Sequence, residues 1–259
     1  MPLIETLKEH VLTLEISSPQ RRNTLDAALL AELSEAFEKA SREPDIRAVL
    51  LAAQPGIFSA GADLAEELKE SPEQSSQTNT NSSQLSPQAR MIASLASCTK
   101  PVAACVEGPA VGLAVTMLYY CDLVYASPRA LFSIPSTALG LTPRFGTVFL
   151  ALSQGGCHKA AEKILLSEPI SAQEALEMRL LSGIYPEEEV RRQTEARVER
   201  LARLSPAAVQ AAKALLVQAR EAPLSESWRR EEQSYAALQR SPEAKEACAA
   251  FMEGRMPRF

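Results

Sequence analysis

The order of strand-like and helical segments is the feature that most constrains what this chain can fold into. Through residue 126, short apolar runs typical of buried strands alternate with segments whose apolar residues recur at helical spacing. The runs cover residues 11–16, 47–52, 101–106 and 123–126. From residue 159 onward nearly every segment is helical, and residues 181–185 form the last strand-like stretch. Alternating strands and helices predict a parallel α/β layer, followed here by a helical region.

The helical segments are bounded by ordinary start and stop signals. Asp26 precedes an apolar stripe that continues to Ala40, and Pro44 closes that helix. Ser171 and Glu174 form a capping-box pattern, and a proline follows Ser205 between two helices. The other predicted helices cover residues 64–69, 90–96, 113–120, 159–166, 172–178, 187–204, 207–219, 224–238 and 242–252.

Residues 71–88 differ from the rest of the chain because they are dense in Ser, Gln, Asn and Thr. Such a composition cannot bury apolar surface, so we expect a mobile surface loop. Two interpretations remain open, a plain disordered insertion and a lid over the mouth of a pocket.

Composition excludes several classes of function. The chain has 259 residues and a net charge of −5, which argues against a nucleic-acid partner, since such proteins usually carry a basic patch. Its five cysteines are odd in number and form no CxxC pair, which favours buried free thiols over disulfides. The two histidines, His10 and His158, have no partner at ligand spacing, so we expect no metal site.

The sequence also predicts no membrane partner. Residues 108–121 are the longest charge-free stretch of the apolar middle and are too short to span a bilayer. Residues 1–10 lack the apolar core of a secretion signal, and residues 256–259 are not a peroxisomal signal. A cytoplasmic protein is therefore expected.

Two segments rich in small residues follow predicted strands and precede predicted helices. The first turn, residues 58–63, reads FSAGAD, and the second turn, residues 108–113, reads GPAVGL. Small residues let a ligand approach the backbone, and free N–H groups at a strand-to-helix turn attract negative charge. Two such turns can direct two backbone donors at one oxygen, which is what stabilising a thioester enolate requires.

Together these segments resemble the crotonase family of enoyl-CoA hydratases and isomerases. The resemblance rests on FSAGADL and EGPAVGLAVTM, supported by CDLVYA, ALFSIP, ISAQEA and the terminal AFMEGR, and it covers nearly the whole chain. The form GPAVGxxVT looks closest to the Δ3,Δ2-enoyl-CoA isomerase branch.

The resemblance implies a site, a fold and an assembly. The oxyanion donors should be the N–H groups of Ala62 and Leu113. An acyl-CoA substrate should be bound without any further cofactor, and the fold should be a ββα spiral over residues 1–195. Residues 196–259 should form a helical trimerisation region, giving a homotrimer or a dimer of trimers. Coenzyme A should be held near Arg21, Arg22, Ala60, Gly61, Asp63, Leu64 and Gly112.

The chain departs from the family at its acid–base positions. Where hydratases carry two glutamates this sequence has Thr116 and Ser136, and where isomerases carry one it has Arg144. Threonine and serine cannot act as carboxylate bases near neutral pH, and arginine stays protonated. Thr116 and Ser136 are expected to line the pocket. Arg144 can bind a substrate carboxylate or phosphate, or pair with a nearby acid.

Three functions stay open from the sequence. The first is an enoyl-CoA isomerase or hydratase with atypical acid–base residues. The second is a decarboxylase or thioester hydrolase of the same fold, because decarboxylation needs no carboxylate base. The third is a non-catalytic acyl-CoA binder. Among other acids, Glu66, Glu67 and Glu70 are expected on a solvated helix face, and Asp122 is expected to bond to backbone.

Overall fold

The computed structural model describes residues 2–67 and 85–259. Its strands are Leu3–Lys8 (β1), Val11–Ile16 (β2), Ala48–Ala53 (β3), Val102–Val106 (β4), Ala110–Val111 (β5), Leu123–Ala126 (β6), Leu131–Ser133 (β7), Ile170–Ser171 (β8) and Gly183–Ile184 (β9). Its helices are Ala27–Arg42 (α1), Leu64–Glu67 (α2), Pro87–Ala96 (α3), Leu113–Tyr120 (α4), Thr147–Gly155 (α5), Cys157–Leu165 (α6), Ala172–Glu177 (α7), Glu187–Arg203 (α8), Pro206–Leu238 (α9) and Pro242–Glu253 (α10). Short 3-10 turns lie at Pro19–Arg21 and Thr137–Leu139.

The main sheet has the parallel character that the apolar runs predict. Within the described residues its strand order is β1-β2-β3-β4-β6-β9, and every neighbouring pair after the antiparallel β1–β2 pair is parallel. β3 and β4 are buried along their whole length, as expected where both faces of a sheet are covered. The prediction of an α/β layer is therefore confirmed.

Different elements cover the two faces of this sheet. On one face, α1, α3 and α4 pack in the large core that contains Leu14, Leu51 and Ala104. On the other face, Val190, Val198 and Ala202 of α8 pack in a smaller core with strand residues. The predicted domain boundary at residue 195 lies inside α8.

A small second sheet carries one of the two turns. It has the order β5-β7-β8, with β5 parallel to β7 and β7 antiparallel to β8. β5 belongs to the second turn, and α4 starts directly after it. This sheet therefore fixes the position at which α4 begins.

Some elements differ from the sequence prediction. β1 was not predicted because five of its six residues are exposed, and its pairing with β2 decides its conformation. The two helices predicted over residues 207–219 and 224–238 are one helix, α9, with Pro223 inside it. A proline costs a helix one backbone hydrogen bond but does not always end it, and here tertiary contacts on both sides of Pro223 hold α9 to the rest of the chain.

The predicted polar loop is shorter than residues 71–88. Ser86 caps α3 through the N–H of Ala89, and Gln88 is a buried residue of that helix. The helix predicted over residues 90–96 thus starts at Pro87. Most of the remaining loop, and the end of the helix predicted over residues 64–69, lie outside the described residues.

All five cysteines are free, and four of them are buried, which confirms the prediction of buried thiols. Among the described residues no helix combines the length and the apolar character needed to cross a membrane.

Candidate functional site

The two turns lie directly against each other. The N–H groups of Phe58 and Ser59 donate to the carbonyl of Pro109 at 2.9 and 3.2 Å. In return, the N–H of Val111 donates to the carbonyl of Ser59 at 3.0 Å. The fold therefore joins the two segments that the sequence singled out, across about fifty residues.

Gly61 permits this contact for two reasons. Its φ of 86° lies in the left-handed region that favours glycine. A Cβ at this position would lie 2.4 Å from the carbonyl oxygen of Val111 and 3.6 Å from the nitrogen of Leu113. The backbone before Ala62 thus touches the backbone before Leu113, and a larger residue would push the turns apart.

The N–H groups of Ala62 and Leu113 are the unused donors at this contact. Leu113 begins α4 after Gly112, which caps the helix at a φ of 55° without a side chain. The carbonyl of Gly61, just before Ala62, accepts the N–H of Leu25 at 2.8 Å. Within residues 2–67 and 85–259, neither the N–H of Ala62 nor that of Leu113 is hydrogen-bonded. Two fixed donors are therefore available where the turns meet.

The loop before α1 fixes the first turn from the other side. The buried side chain of Asn23 donates to the carbonyl of Ile57 at 2.8 Å and accepts the N–H of Ser18 at 2.7 Å. The hydroxyl of Ser59 donates to the carbonyl of Asn23 at 2.7 Å and accepts the N–H of Gly61 at 3.0 Å. Asn23 was not predicted as a site residue; its left-handed φ of 53° is visible only in the structure.

The residues predicted to hold coenzyme A lie together beside the first turn. The carbonyl of Arg22 accepts the N–H of Ala60 at 3.0 Å. The half-exposed Arg21 pairs with Asp26 and with Asp63, the latter at 3.2 Å. Asp63 accepts the N–H of Glu66 at 3.3 Å, and α2 begins at Leu64. The structure thus places the backbone of Arg22 and the guanidinium of Arg21 beside the first turn.

Thr116 belongs to a chain of hydroxyl groups. Its hydroxyl lies 2.7 Å from that of Thr147, which lies 2.6 Å from the carbonyl of Arg144. A hydroxyl has one hydrogen. Thr147 therefore donates to the carbonyl, and Thr116 donates to Thr147. The hydrogen of Thr116 is used within the protein, and only its lone pairs remain for a ligand.

Ser136 lies apart from this chain. It precedes the 3-10 turn Thr137–Leu139, and its carbonyl accepts the N–H groups of Leu139 and Leu141. In the described part of the chain no hydrogen bond joins its side chain to Thr116 or Arg144.

Arg144 is buried and paired with an acid. Its Nε and Nη2 donate to the carboxylate of Glu232 at 3.0 and 2.8 Å, and its Nη1 donates to Gln88 at 3.0 Å. Its guanidinium also lies 4.5 Å from the ring centre of Phe145 and 4.2 Å from that of Tyr235. Since Glu232 already balances its charge, the structure favours the pairing alternative over binding of a substrate anion.

A second buried carboxylate lies next to this pair. Glu231 accepts the N–H groups of Gly146 and Val148 at 2.7 and 3.0 Å, and the hydroxyl of Ser227 at 2.9 Å. Burial raises the pKa of Glu231 to about 7, although these hydrogen bonds act to lower it. Glu231 thereby holds both amides that flank Thr147.

Sequence reasoning missed Glu231 and Glu232, although a signal was present. Trp228 and Tyr235 stand seven residues apart, a spacing typical of one apolar helix face, and both pack in core clusters. The two glutamates occupy the positions three and four residues after Trp228, which lie on the same helix face. A glutamate that lies within an apolar helix stripe is expected to be buried. A buried carboxylate needs hydrogen-bond or ion-pair partners, so such a position indicates a buried polar network.

Other acids serve the framework. Glu66 accepts the N–H of Ala27 at 3.1 Å. Asp122 accepts the N–H of Val102 at 2.7 Å, which confirms its predicted role, and also pairs with Lys213 at 2.7 Å. The side chains of Glu67 and Glu70 lie outside the described residues. No group of three or more His, Cys, Asp or Glu in the described ranges is placed to bind a metal.

Comparisons with known proteins agree with this architecture. The family model described as enoyl-CoA hydratase/isomerase matches residues 6–259. A crystal structure of an enoyl-CoA hydratase/isomerase from Pseudoalteromonas atlantica T6c superposes with a TM-score of 0.91 at 32% identity, covering 100% of both chains. The 2,3-dehydroadipyl-CoA hydratase of Escherichia coli K12 is 31% identical over 99% of this chain and 98% of its own length. The mitochondrial Δ(3,5)-Δ(2,4)-dienoyl-CoA isomerase of Mus musculus is 26% identical over 86% of this chain and 71% of its own length.

Proposed function

We propose that this chain, which belongs to the enoyl-CoA hydratase/isomerase family, binds an acyl-CoA thioester where its two turns meet. It would stabilise the enolate of that thioester at the same place. The N–H groups of Ala62 and Leu113 would both donate to the thioester oxygen. Their lack of any other acceptor within the described residues is the observation that carries the proposal. Each such fixed donor is worth about a hundred- to a thousand-fold in rate.

The residues around the first turn fit the rest of the ligand. Arg22 is exposed and can face the phosphates of coenzyme A, and Arg21, paired with Asp26 and Asp63, lies beside it. The backbone near Ala60 and Gly61 offers the close approach that a narrow pantetheine arm needs. Coenzyme A enters as part of the substrate, and no further cofactor is proposed.

The acyl end of the pocket would be lined by hydroxyl groups in place of carboxylates. Thr116 has unused lone pairs and can hold a water molecule or a substrate hydrogen. It cannot remove a proton from carbon near neutral pH. We therefore favour an isomerase- or hydratase-type reaction with atypical acid–base residues. The similarity to the Δ3,Δ2-enoyl-CoA isomerase branch rests on the GPAVGxxVT motif alone.

A second candidate is a decarboxylase or a thioester hydrolase. It is favoured because Thr116, Ser136 and Arg144 stand where related enzymes carry carboxylates. Decarboxylation of a malonyl-type thioester forms the same enolate without a base, and thioester hydrolysis forms an oxyanion at the same place. The pairing of Arg144 with Glu232 counts against a second anion bound by Arg144. A chain that binds acyl-CoA without turnover is the third candidate.

The proposed assembly is a homotrimer or a dimer of trimers. Large apolar side chains on the last two helices, Leu215, Leu216, Phe251 and Met252, are exposed in the single chain. Exposed apolar groups of this size commonly mark contacts between proteins. A mass measured by light scattering that equals one chain would contradict this assembly.

Proline substitutions test the two donors. Ala62→Pro removes one N–H, whereas Ala62→Gly keeps it and serves as the matched control. Leu113→Pro removes the other at the first helical position, where proline is tolerated, and Leu113→Ala is its control. Calorimetric binding of crotonyl-CoA and turnover of 2-enoyl, 3-enoyl and malonyl-CoA are measured for each variant.

Each proline variant is expected to lose about a hundred-fold or more in kcat/KM relative to its control. Proline variants that bind and react at the control rate would rule out these donors. Preference for malonyl-CoA would select decarboxylation, and tight binding without turnover of any thioester would select the non-catalytic candidate.

A further inference from the structure

A cavity of about 260 Å³ lies at the far end of α4 from the two turns. It is bounded by the end of α4, the segment after α7 and the first half of α9. Its polar lining residues are Tyr119, Asp122, Gln154, Arg179, Ser182 and Arg220. We infer that this cavity is a binding site for a phosphate group, separate from the proposed thioester pocket.

The charges around the cavity favour an anion. Arg179 and Arg220 come from different elements, and in the described ranges neither forms an ion pair. Asp122 is the acid among the lining residues. Its negative charge is balanced by Lys213 at 2.7 Å, and it also accepts the N–H of Val102 at 2.7 Å. Two guanidinium groups thus share one cavity without a matching negative charge, and guanidinium groups suit phosphate geometry.

The hydrogen-bonding groups lead to the same conclusion. The buried hydroxyl of Tyr119 has no hydrogen-bond partner in the described residues. Ser182 accepts the N–H of Val124 at 3.1 Å, which leaves its own hydrogen available to donate. The amide of Gln154 supplies further donors. Phosphate oxygens are acceptors, so the ligand and the lining are complementary.

The backbone at Arg179 adds a structural observation. Arg179 has a φ of 60°, in the left-handed region that residues other than glycine seldom adopt. The N–H of the next residue, Leu180, donates to the carbonyl of Ala175 at 2.9 Å. Together with the N–H of Arg179, which donates to the carbonyl of Leu176 at 3.0 Å, this bond ends α7 in a Schellman motif that fixes the position of Arg179 at the rim of the cavity.

The site does not depend on the proposed function. Leu113 opens α4 and Tyr119 lies six residues later, so the two sites are separated by about 9 Å along the helix. A ligand in the cavity therefore need not touch the turn donors. Loss of phosphate binding and loss of thioester binding can be measured independently.

Titration calorimetry of the full chain with inorganic phosphate tests the site. Arg179→Gln and Arg220→Gln each remove one positive charge, and Arg200→Gln, an exposed arginine on α8, is the matched control. We expect a Kd at least tenfold weaker in the two cavity variants and unchanged in the control, with binding that weakens as salt increases. Adenosine 3′,5′-bisphosphate, which is also the nucleotide part of coenzyme A, is titrated in parallel; tighter binding that the two cavity variants abolish and that Arg22→Gln leaves unchanged assigns a nucleotide-borne phosphate to the cavity in place of the free ion.

Three outcomes overturn the proposal. One is equal phosphate affinity in the wild type and in both cavity variants. Another is no binding of either probe by the wild-type protein. The third is a change of oligomeric mass in Arg220→Gln without phosphate binding, which would assign the cavity to a contact between copies of this chain.

Discussion

Glu231→Gln tests whether a buried carboxylate controls how the stability of this protein depends on pH. Burial raises the pKa of Glu231 from 4.5 to about 7 in the folded chain. Between these two pH values the folded state binds a proton that the unfolded state has released. The stability gained from this proton is fully present below pH 4.5 and is lost as pH rises through 7.

The size of the effect follows from the same two values. A difference between 4.5 and about 7 corresponds to about 3 kcal/mol of unfolding free energy, at about 1.4 kcal/mol per pH unit. Glutamine carries no charge at any pH and keeps one acceptor for the amides of Gly146 and Val148. The wild type should therefore lose about 3 kcal/mol more than Glu231→Gln between pH 4.5 and pH 8.

Urea unfolding at several pH values, followed by tryptophan fluorescence, measures this difference. Trp228 is the only tryptophan of the chain, and its ring lies 5.4 Å from that of Phe145, close to the site of the change. Glu226→Gln is the control on the same helix. Hydrogen bonds from Arg229 and Arg230 lower the pKa of Glu226 to about 2, so it does not titrate between pH 4.5 and pH 8. Parallel stability curves for the wild type and Glu231→Gln would refute the reasoning.

Two further substitutions test the packing at the site. Gly61→Ala should cost about 1–3 kcal/mol of stability and weaken acyl-CoA binding, because its Cβ would lie 2.4 Å from the carbonyl of Val111. Gly56→Ala is the control for backbone strain, because Gly56 has a φ of 117° and an added Cβ would have no atom within 4 Å. If calorimetry shows an equal loss of acyl-CoA affinity in Gly61→Ala and Gly56→Ala, the proposed effect of the Gly61–Val111 contact is contradicted. Arg144→Met should cost about 3–5 kcal/mol in urea unfolding by removing the bidentate guanidinium partner of the buried Glu232, and the double variant with Glu232→Leu should recover part of it. A double variant no more stable than Arg144→Met would argue against the pair.

Much of the fold could be predicted because its signals are local. The helix Leu113–Tyr120 and the strand Leu123–Ala126 have the predicted bounds, since a buried apolar run and its flanking turn residues lie within one short window. β1 and the continuous α9 could not be predicted in the same way. The first depends on pairing with β2, and the second on distant contacts that hold the helix on both sides of Pro223.

The candidate site likewise has features that the local sequence predicts and features that depend on tertiary contacts. The small residues of the two turns indicated close backbone approach, and the structure joins the turns through Gly61 and Val111. The roles of Thr116 and Arg144 were open. Only the structure directs the hydroxyl of Thr116 to Thr147 and the guanidinium of Arg144 to Glu232.

The sequence by itself determined the family and the α/β class, and it predicts that the usual carboxylates are replaced at Thr116, Ser136 and Arg144. Residue identity, periodicity and motif spacing carry that information without any coordinates. The tertiary structure alone decided which charges are buried and which partners they have. Arg144 and Glu232 are 88 residues apart, and a pairing over that separation depends on how α9 packs against the loop before α5, which no local pattern encodes.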